Sequence, residues 1–122
     1  MKVGVLLIIA LGAFAAERGS LVQDATTKAR PLTNPFDGYP RAPAAGARLY
    51  RRQCAACHGR NARGSGKAPS LIRAGVAEAP PGALFWVLKN GSLDRGMPSF
   101  AHLPEARRWQ IISYLRTLRE QR

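Results

Sequence analysis

Apolar positions recur at helical spacing in three stretches of the chain. Gly46, Tyr50 and Cys54 fall four residues apart on one face, while Arg48, Arg51 and Arg52 point elsewhere. Pro43 stands where the first turn of that helix would begin. In the second stretch Leu84, Val87 and Leu88 form a stripe, opened by Pro80-Pro81 and stopped by Gly91. In the third, Ile111, Tyr114, Leu115 and Leu118 follow the i, i+3, i+4, i+7 pattern, with Pro104 and Glu105 at its start. Arg107, Arg108, Arg116 and Arg119 are expected along the solvent side of this last helix. No stretch alternates as a half-buried strand does. The pattern predicts an all-α fold of about three or four helices joined by long loops.

The intervening segments read differently. Residues 59–79 are rich in Gly, Ala and Pro and predict an irregular loop. Gly64-Ser65-Gly66-Lys67 within it lacks the spacing and the following Ser/Thr of a phosphate loop. Residues 17–42 form a polar arm punctuated by Pro31, Pro35 and Pro40, with a turn at Asp37-Gly38. Its first half, to about Leu32, is expected to lack fixed structure. Phe36 and Tyr39 are placed to pin its second half to the domain. Residues 1–16 read as a secretion signal: Lys2, an apolar run from Val3 to Phe14, and the small-residue site Ala13-Phe14-Ala15. The run is short for a membrane span, which needs about 20 apolar residues. An uncleaved anchor is the alternative. The expected product is one domain over residues 43–122, exported and free of the membrane, with a periplasmic location.

Both cysteines of the chain and one of its two histidines lie in Cys54-Ala55-Ala56-Cys57-His58. The spacing C-x-x-C-H is the attachment signature of c-type haem: two thiols form thioethers and the adjacent imidazole becomes an iron ligand. A zinc site needs about four ligands, and no second Cys/His cluster exists. A redox dithiol would need a βαβ context, and a disulfide across this spacing would be strained and close almost no loop. One haem c per chain follows. A core this small would be marginal without it, so the porphyrin should form a large part of the interior.

His58 leaves the sixth position of the iron to be filled. Apart from the initiator, Met97 is the only methionine, set in Gly96-Met97-Pro98, and His102 is the only other histidine. Met97 is favoured, because its setting between Gly and Pro is unlike that of a gap-filling core methionine. His102 and an open position are the alternatives. An iron closed by histidine and methionine can change oxidation state but has no place for substrate. No nucleophile, base and orienter set is evident elsewhere, so the chain reads as an electron carrier rather than an enzyme. A haem protein with an open sixth site, catalytic or gas-binding, is the rival.

Charge adds a partner class. The chain carries 19 Lys and Arg against 7 Asp and Glu, a formal net charge of +12. Arg48, Arg51, Arg52, Arg60, Arg63 and Lys67 cluster in sequence around the motif. Such a balance attracts acidic surfaces, a partner protein or anionic lipid, while export and the lack of any nucleic-acid motif set nucleic acid aside; it also keeps a small protein soluble. Beside a haem the expected partners are redox proteins with acidic docking faces.

Taken in order, helix, C-x-x-C-H, loop, helix, Gly-Met-Pro and terminal helix, residues 43–120 resemble the class I c-type cytochromes, small monohaem periplasmic electron carriers. The resemblance implies a small cytochrome c fold wrapped around one covalent haem and a monomeric chain. It implies that Gly46 and Tyr50 pack against Ile111 and Tyr114 across the two terminal helices. It also implies that the carbonyl of Pro69, in Ala68-Pro69-Ser70-Leu71, meets the Nδ1–H of His58. The stretch from Leu84 to Glu105 is most similar to small carriers that take electrons from quinoprotein dehydrogenases or feed terminal oxidases. That likeness is an analogy of fold and sequence.

Overall fold

The computed structural model of the chain describes residues 20–72 and 75–121. The signal expected over residues 1–16 lies outside the described residues. Among those described there are five α-helices and no strand: α1 (Leu21–Lys28), α2 (Ala42–Gln53), α3 (Ala55–His58), α4 (Pro81–Asn90) and α5 (Glu105–Thr117). Short 3₁₀ turns follow at Leu93–Arg95 and Leu118–Gln121. None of these helices is long and apolar enough to cross a membrane.

The three helices expected from the apolar periodicity are α2, α4 and α5. Prolines stand in the first turn of α2 and α4, and Gly91 caps α4. α2 and α5 cross at Gly46, whose chain-mate α5 comes so close that a Cβ there would lie 1.9 Å from the Gln110 carbonyl oxygen. Only a glycine admits that approach. Beside the crossing, the Tyr50 and Tyr114 rings pack with centroids 5.1 Å apart. Tyr50, Ile111, Ile112 and Leu118 are the largest fully buried side chains and mark the centre of the core. The core is thus built where the two terminal helices of the expected domain meet, and the burial of such side chains contributes roughly 1.5–3 kcal/mol each.

Three expectations need correction. The first half of the arm is not without structure: it holds α1. Ser20 and Gln23 form a reciprocal capping box, with the Gln23 N–H donating to Ser20 Oγ (3.2 Å) and the Ser20 N–H to Gln23 Oε1 (3.1 Å). Ala25, fully buried, then packs with Ala83 and Val87 of α4. The second half of the arm is pinned by Phe36, but Tyr39 is 63% exposed, with its ring edge-on to that of Phe36 at 5.8 Å. The stronger pin is Asn34. Its buried Nδ2 donates to the Trp109 carbonyl (3.1 Å) and to Ser113 Oγ (3.0 Å), while its Oδ1 accepts from the Phe36 N–H (2.9 Å).

Third, the arginines of α5 do not all face solvent. Arg107 and Arg119 are exposed, but Arg108 is buried, with its guanidinium 4.6 Å from the Phe85 ring centroid. Phe85 in turn stacks on Trp109 at 4.3 Å. A planar, weakly hydrated guanidinium can lie on an aromatic face in this way. Arg116 is part-buried and donates to the Ala77 carbonyl, and burial lowers its pKa.

Candidate haem site

The site grows out of the end of α2. The Cys54 N–H closes that helix on the Tyr50 carbonyl (2.8 Å), and the single turn α3 then carries Ala55 to His58. The turn sets Cys54, Cys57 and His58 on the wall of one cavity of about 440 Å³. Cys54 is part-buried and Cys57 exposed, and neither is in a disulfide. Burial first, and the neighbouring Cys57 second, push the Cys54 thiol up to about 12. At neutral pH it is protonated and a poor nucleophile.

The loop after the motif folds back on it. The Gly64 N–H donates to the His58 carbonyl (2.8 Å), and Ser65 Oγ donates to the Cys57 carbonyl (2.6 Å). Gly64 has φ +86°, and a Cβ there would lie 2.6 Å from the Ser70 nitrogen, so the chain can close this tightly only on glycine. The closure brings the Pro69 carbonyl to 2.9 Å from His58 Nδ1. A carbonyl only accepts, so His58 is the donor through Nδ1–H. Its Nε2 lone pair is thereby left for a metal. Tyr50 braces the same region, its hydroxyl donating to the Gly59 carbonyl at 2.7 Å. Burial raises the Tyr50 pKa, so this hydroxyl keeps its proton.

Gly96, Met97 and Pro98 line the same cavity. Met97 is half-buried rather than exposed, and its backbone pairs with Ser92 in both directions, at 2.8 and 2.9 Å. His102 is exposed, lies outside the cavity lining and rests against the Phe100 ring at 6.0 Å. The remaining wall is mainly apolar, with Leu71, Val76, Leu84, Leu88, Ile111 and Leu115, and Gln53, Lys67 and Arg95 are its long polar members. A second, more open groove of about 670 Å³ between α1 and the end of α4 has a polar lining and contains neither cysteine, histidine nor methionine. The larger volume is therefore not where the chemistry lies. Sequence reasoning missed that Ser20, Leu21 and Val22 at the start of α1 also line the smaller cavity. The capping-box pair Ser20 and Gln23 is the one signal that would have revealed a helix there.

The donor set and the cavity agree with a haem. Two thiols and an oriented imidazole share one wall, a thioether stands among the lining residues, and the rest is an apolar slot of a size typical for bound small molecules. A helical fold with this wall defines the class of c-type cytochromes. Residues 41–115 match the family model described as cytochrome c oxidase, cbb3-type, subunit III. That is more than half of the chain, and the chain belongs to this family of c-type cytochrome domains. Its cofactor is covalently bound haem c with its iron. The fold is similar to that of cytochrome CL from the marine methylotrophic bacterium Methylophaga aminisulfidivorans MPT. The TM-score is 0.58 at 18% identity, over 88% of this chain and 71% of that one. No curated protein matches the chain.

Proposed function

We propose that the chain is a monomeric, monohaem electron carrier in which Cys54 and Cys57 would hold the haem and His58 and Met97 would ligate its iron. The observation that carries this reading is the distribution of the two remaining ligand candidates. Met97 lines the cavity that holds the motif, and His102 does not. When bound, the haem supplies a one-electron couple, and a thioether ligand raises its potential. The residues do the rest. Pro69 keeps the proton of His58 on Nδ1 and fixes the ring. The aliphatic wall keeps water from the interior of the site. With His58 and Met97 both given to the iron, the site would offer no place for a substrate, and the chain would act as a carrier and not an enzyme.

In this reading residues 1–16 direct export, the arm 17–42 leads in, and residues 43–122 form the cytochrome domain in the periplasm. Donor and acceptor are redox proteins. The family description names an oxidase subunit, which fits a terminal oxidase as acceptor, with a dehydrogenase as donor. Arg48, Arg51, Arg52, Arg60, Arg63 and Lys67 are all exposed. They flank the motif and would steer an acidic partner to it. The test is stopped-flow electron transfer with an acidic redox protein over a salt series. The Debye length falls to roughly 8 Å at physiological ionic strength, so the rate should drop as salt rises. Charge reversal at Arg60 and Arg63 should slow transfer by about tenfold at low salt and flatten the salt dependence. Reversal at Arg107 and Arg119, exposed on and just beyond α5, changes net charge equally and should matter less. Equal slowing by both pairs would refute a local docking face.

A further inference from the structure

α1 lies outside the family match over residues 41–115, yet it borders the same cavity as the motif. Ser20, Leu21 and Val22 line that cavity together with Arg95, Gly96 and Met97. Met97 packs against the main core and also against the small cluster of Ala25, Ala83 and Val87 that joins α1 to α4. It therefore stands at the seam between the family core and the added helix. The segment that presents it is short: the 3₁₀ turn Leu93–Arg95, then Gly96. An ion pair ties this segment to α1. Arg95 Nη2 donates to Asp24 Oδ2 at 3.0 Å, and Arg95 Nη1 also reaches Ser92 Oγ at 3.5 Å. α1 is itself held to α4 by Lys28, whose Nζ lies 5.5 Å from the Trp86 ring centroid.

We infer that α1 is a clamp on the Met97 side of the cavity, with Asp24 and Arg95 as positioning residues that hold the Met97 segment against the haem. The inference rests on the proposed ligation by Met97. The two sides of the cavity are not equally secured. On one side the motif is fixed by α2 and by the loop that brings Pro69 to His58, and in the holoprotein two thioethers would anchor it. On the other, Met97 is held without a covalent tie in the chain: its backbone bridges Ser92, the Met97–Pro98 backbone packs closely on Gly91, and its side chain packs against both core clusters. A site residue on so short a segment keeps its geometry only if its supports are rigid. Arg95 is two residues from Met97, so holding its side chain to α1 limits how far the segment can swing. The two side chains are 28% and 43% exposed, so salt reaches the pair and weakens it. Loss of the pair raises the fraction of molecules in which the Met97 segment has moved off and the iron accepts an outside ligand.

The test uses the oxidised holoprotein and exogenous imidazole as the incoming ligand, followed by stopped-flow absorbance. Met97→Ala is the reference for an open position. Asp24→Asn and Arg95→Gln should each take up imidazole about two- to fivefold faster than the wild type, the range set by a partly exposed ion pair. The charge swap, Asp24→Arg with Arg95→Asp, should return the rate toward that of the wild type. Raising the salt should accelerate the wild type and leave the two single variants unchanged. A purely structural role would lower the melting temperature of the variants without changing imidazole uptake well below it. Single variants that match the wild type, beside a fast Met97→Ala, overturn the clamp and leave Met97 as the ligand. A wild type whose uptake does not respond to salt overturns the clamp without the use of any variant. A wild type already as fast as Met97→Ala overturns the ligand assignment, and the clamp with it.

Discussion

At the scale of single residues, the direction of one hydrogen bond decides much of the chemistry. His58 faces a carbonyl that can only accept, so its proton sits on Nδ1 and its other nitrogen is free to coordinate. Cys54 and Cys57 occupy the same wall in different surroundings, one part-buried with a raised pKa and one exposed. Thioether formation would turn both thiols into apolar contacts of the haem. Denatured wild-type protein should therefore keep its haem through acid–acetone extraction and stain for it on a denaturing gel. The double variant Cys54→Ala with Cys57→Ala should lose the haem to extraction and remain largely unfolded, because the haem fills the cavity at the centre of a small core. Haem that extracts freely from the wild type would contradict covalent attachment.

At the scale of elements, the α2–α5 crossing is the joint on which the cavity depends. Gly46 is the residue that permits it. By helix propensity alone Gly46→Ala should stabilise α2 by about 1 kcal/mol. The contact predicts the opposite sign, since the new methyl would meet the Gln110 carbonyl at 1.9 Å. The expected result is a loss of about 1–3 kcal/mol in chemical denaturation of the holoprotein, with a lower melting temperature. A gain in stability would show that the helices do not meet as described.

These elements also show what the sequence discloses and what it withholds. α2, α4 and α5 were legible because prolines and a glycine punctuate them and their apolar residues keep helical spacing. The motif was legible because its chemistry depends on adjacent residues. The meeting of His58 and Pro69 followed from the resemblance, since the turn at Gly64 that produces it has no periodic signal. α1 was not legible. It has only eight residues, too few to be stable alone, and it is held by contacts with α4 that sequence spacing does not reveal. Arg108 was misplaced for a related reason. Its charge suggests solvent, and only the neighbouring Phe85 on another helix makes burial tolerable.

At the scale of the whole molecule, a basic chain with a net charge of +12 is wrapped around an apolar slot. Exposed arginines lie beside the motif, and α1 packs on the side where Met97 stands. The central claim is that this arrangement closes the iron from both sides and so makes a carrier of the molecule. The most direct measurement is the near-infrared band that marks methionine ligation of oxidised haem, recorded for the wild type, Met97→Ala and His102→Ala, with carbon monoxide added to the reduced form of each. The wild type and His102→Ala should show the band and exclude carbon monoxide. Met97→Ala should lose the band, bind carbon monoxide and have a lower reduction potential. A wild type without the band, or one that binds carbon monoxide as readily as Met97→Ala, would contradict the claim and point to a haem protein with an open position.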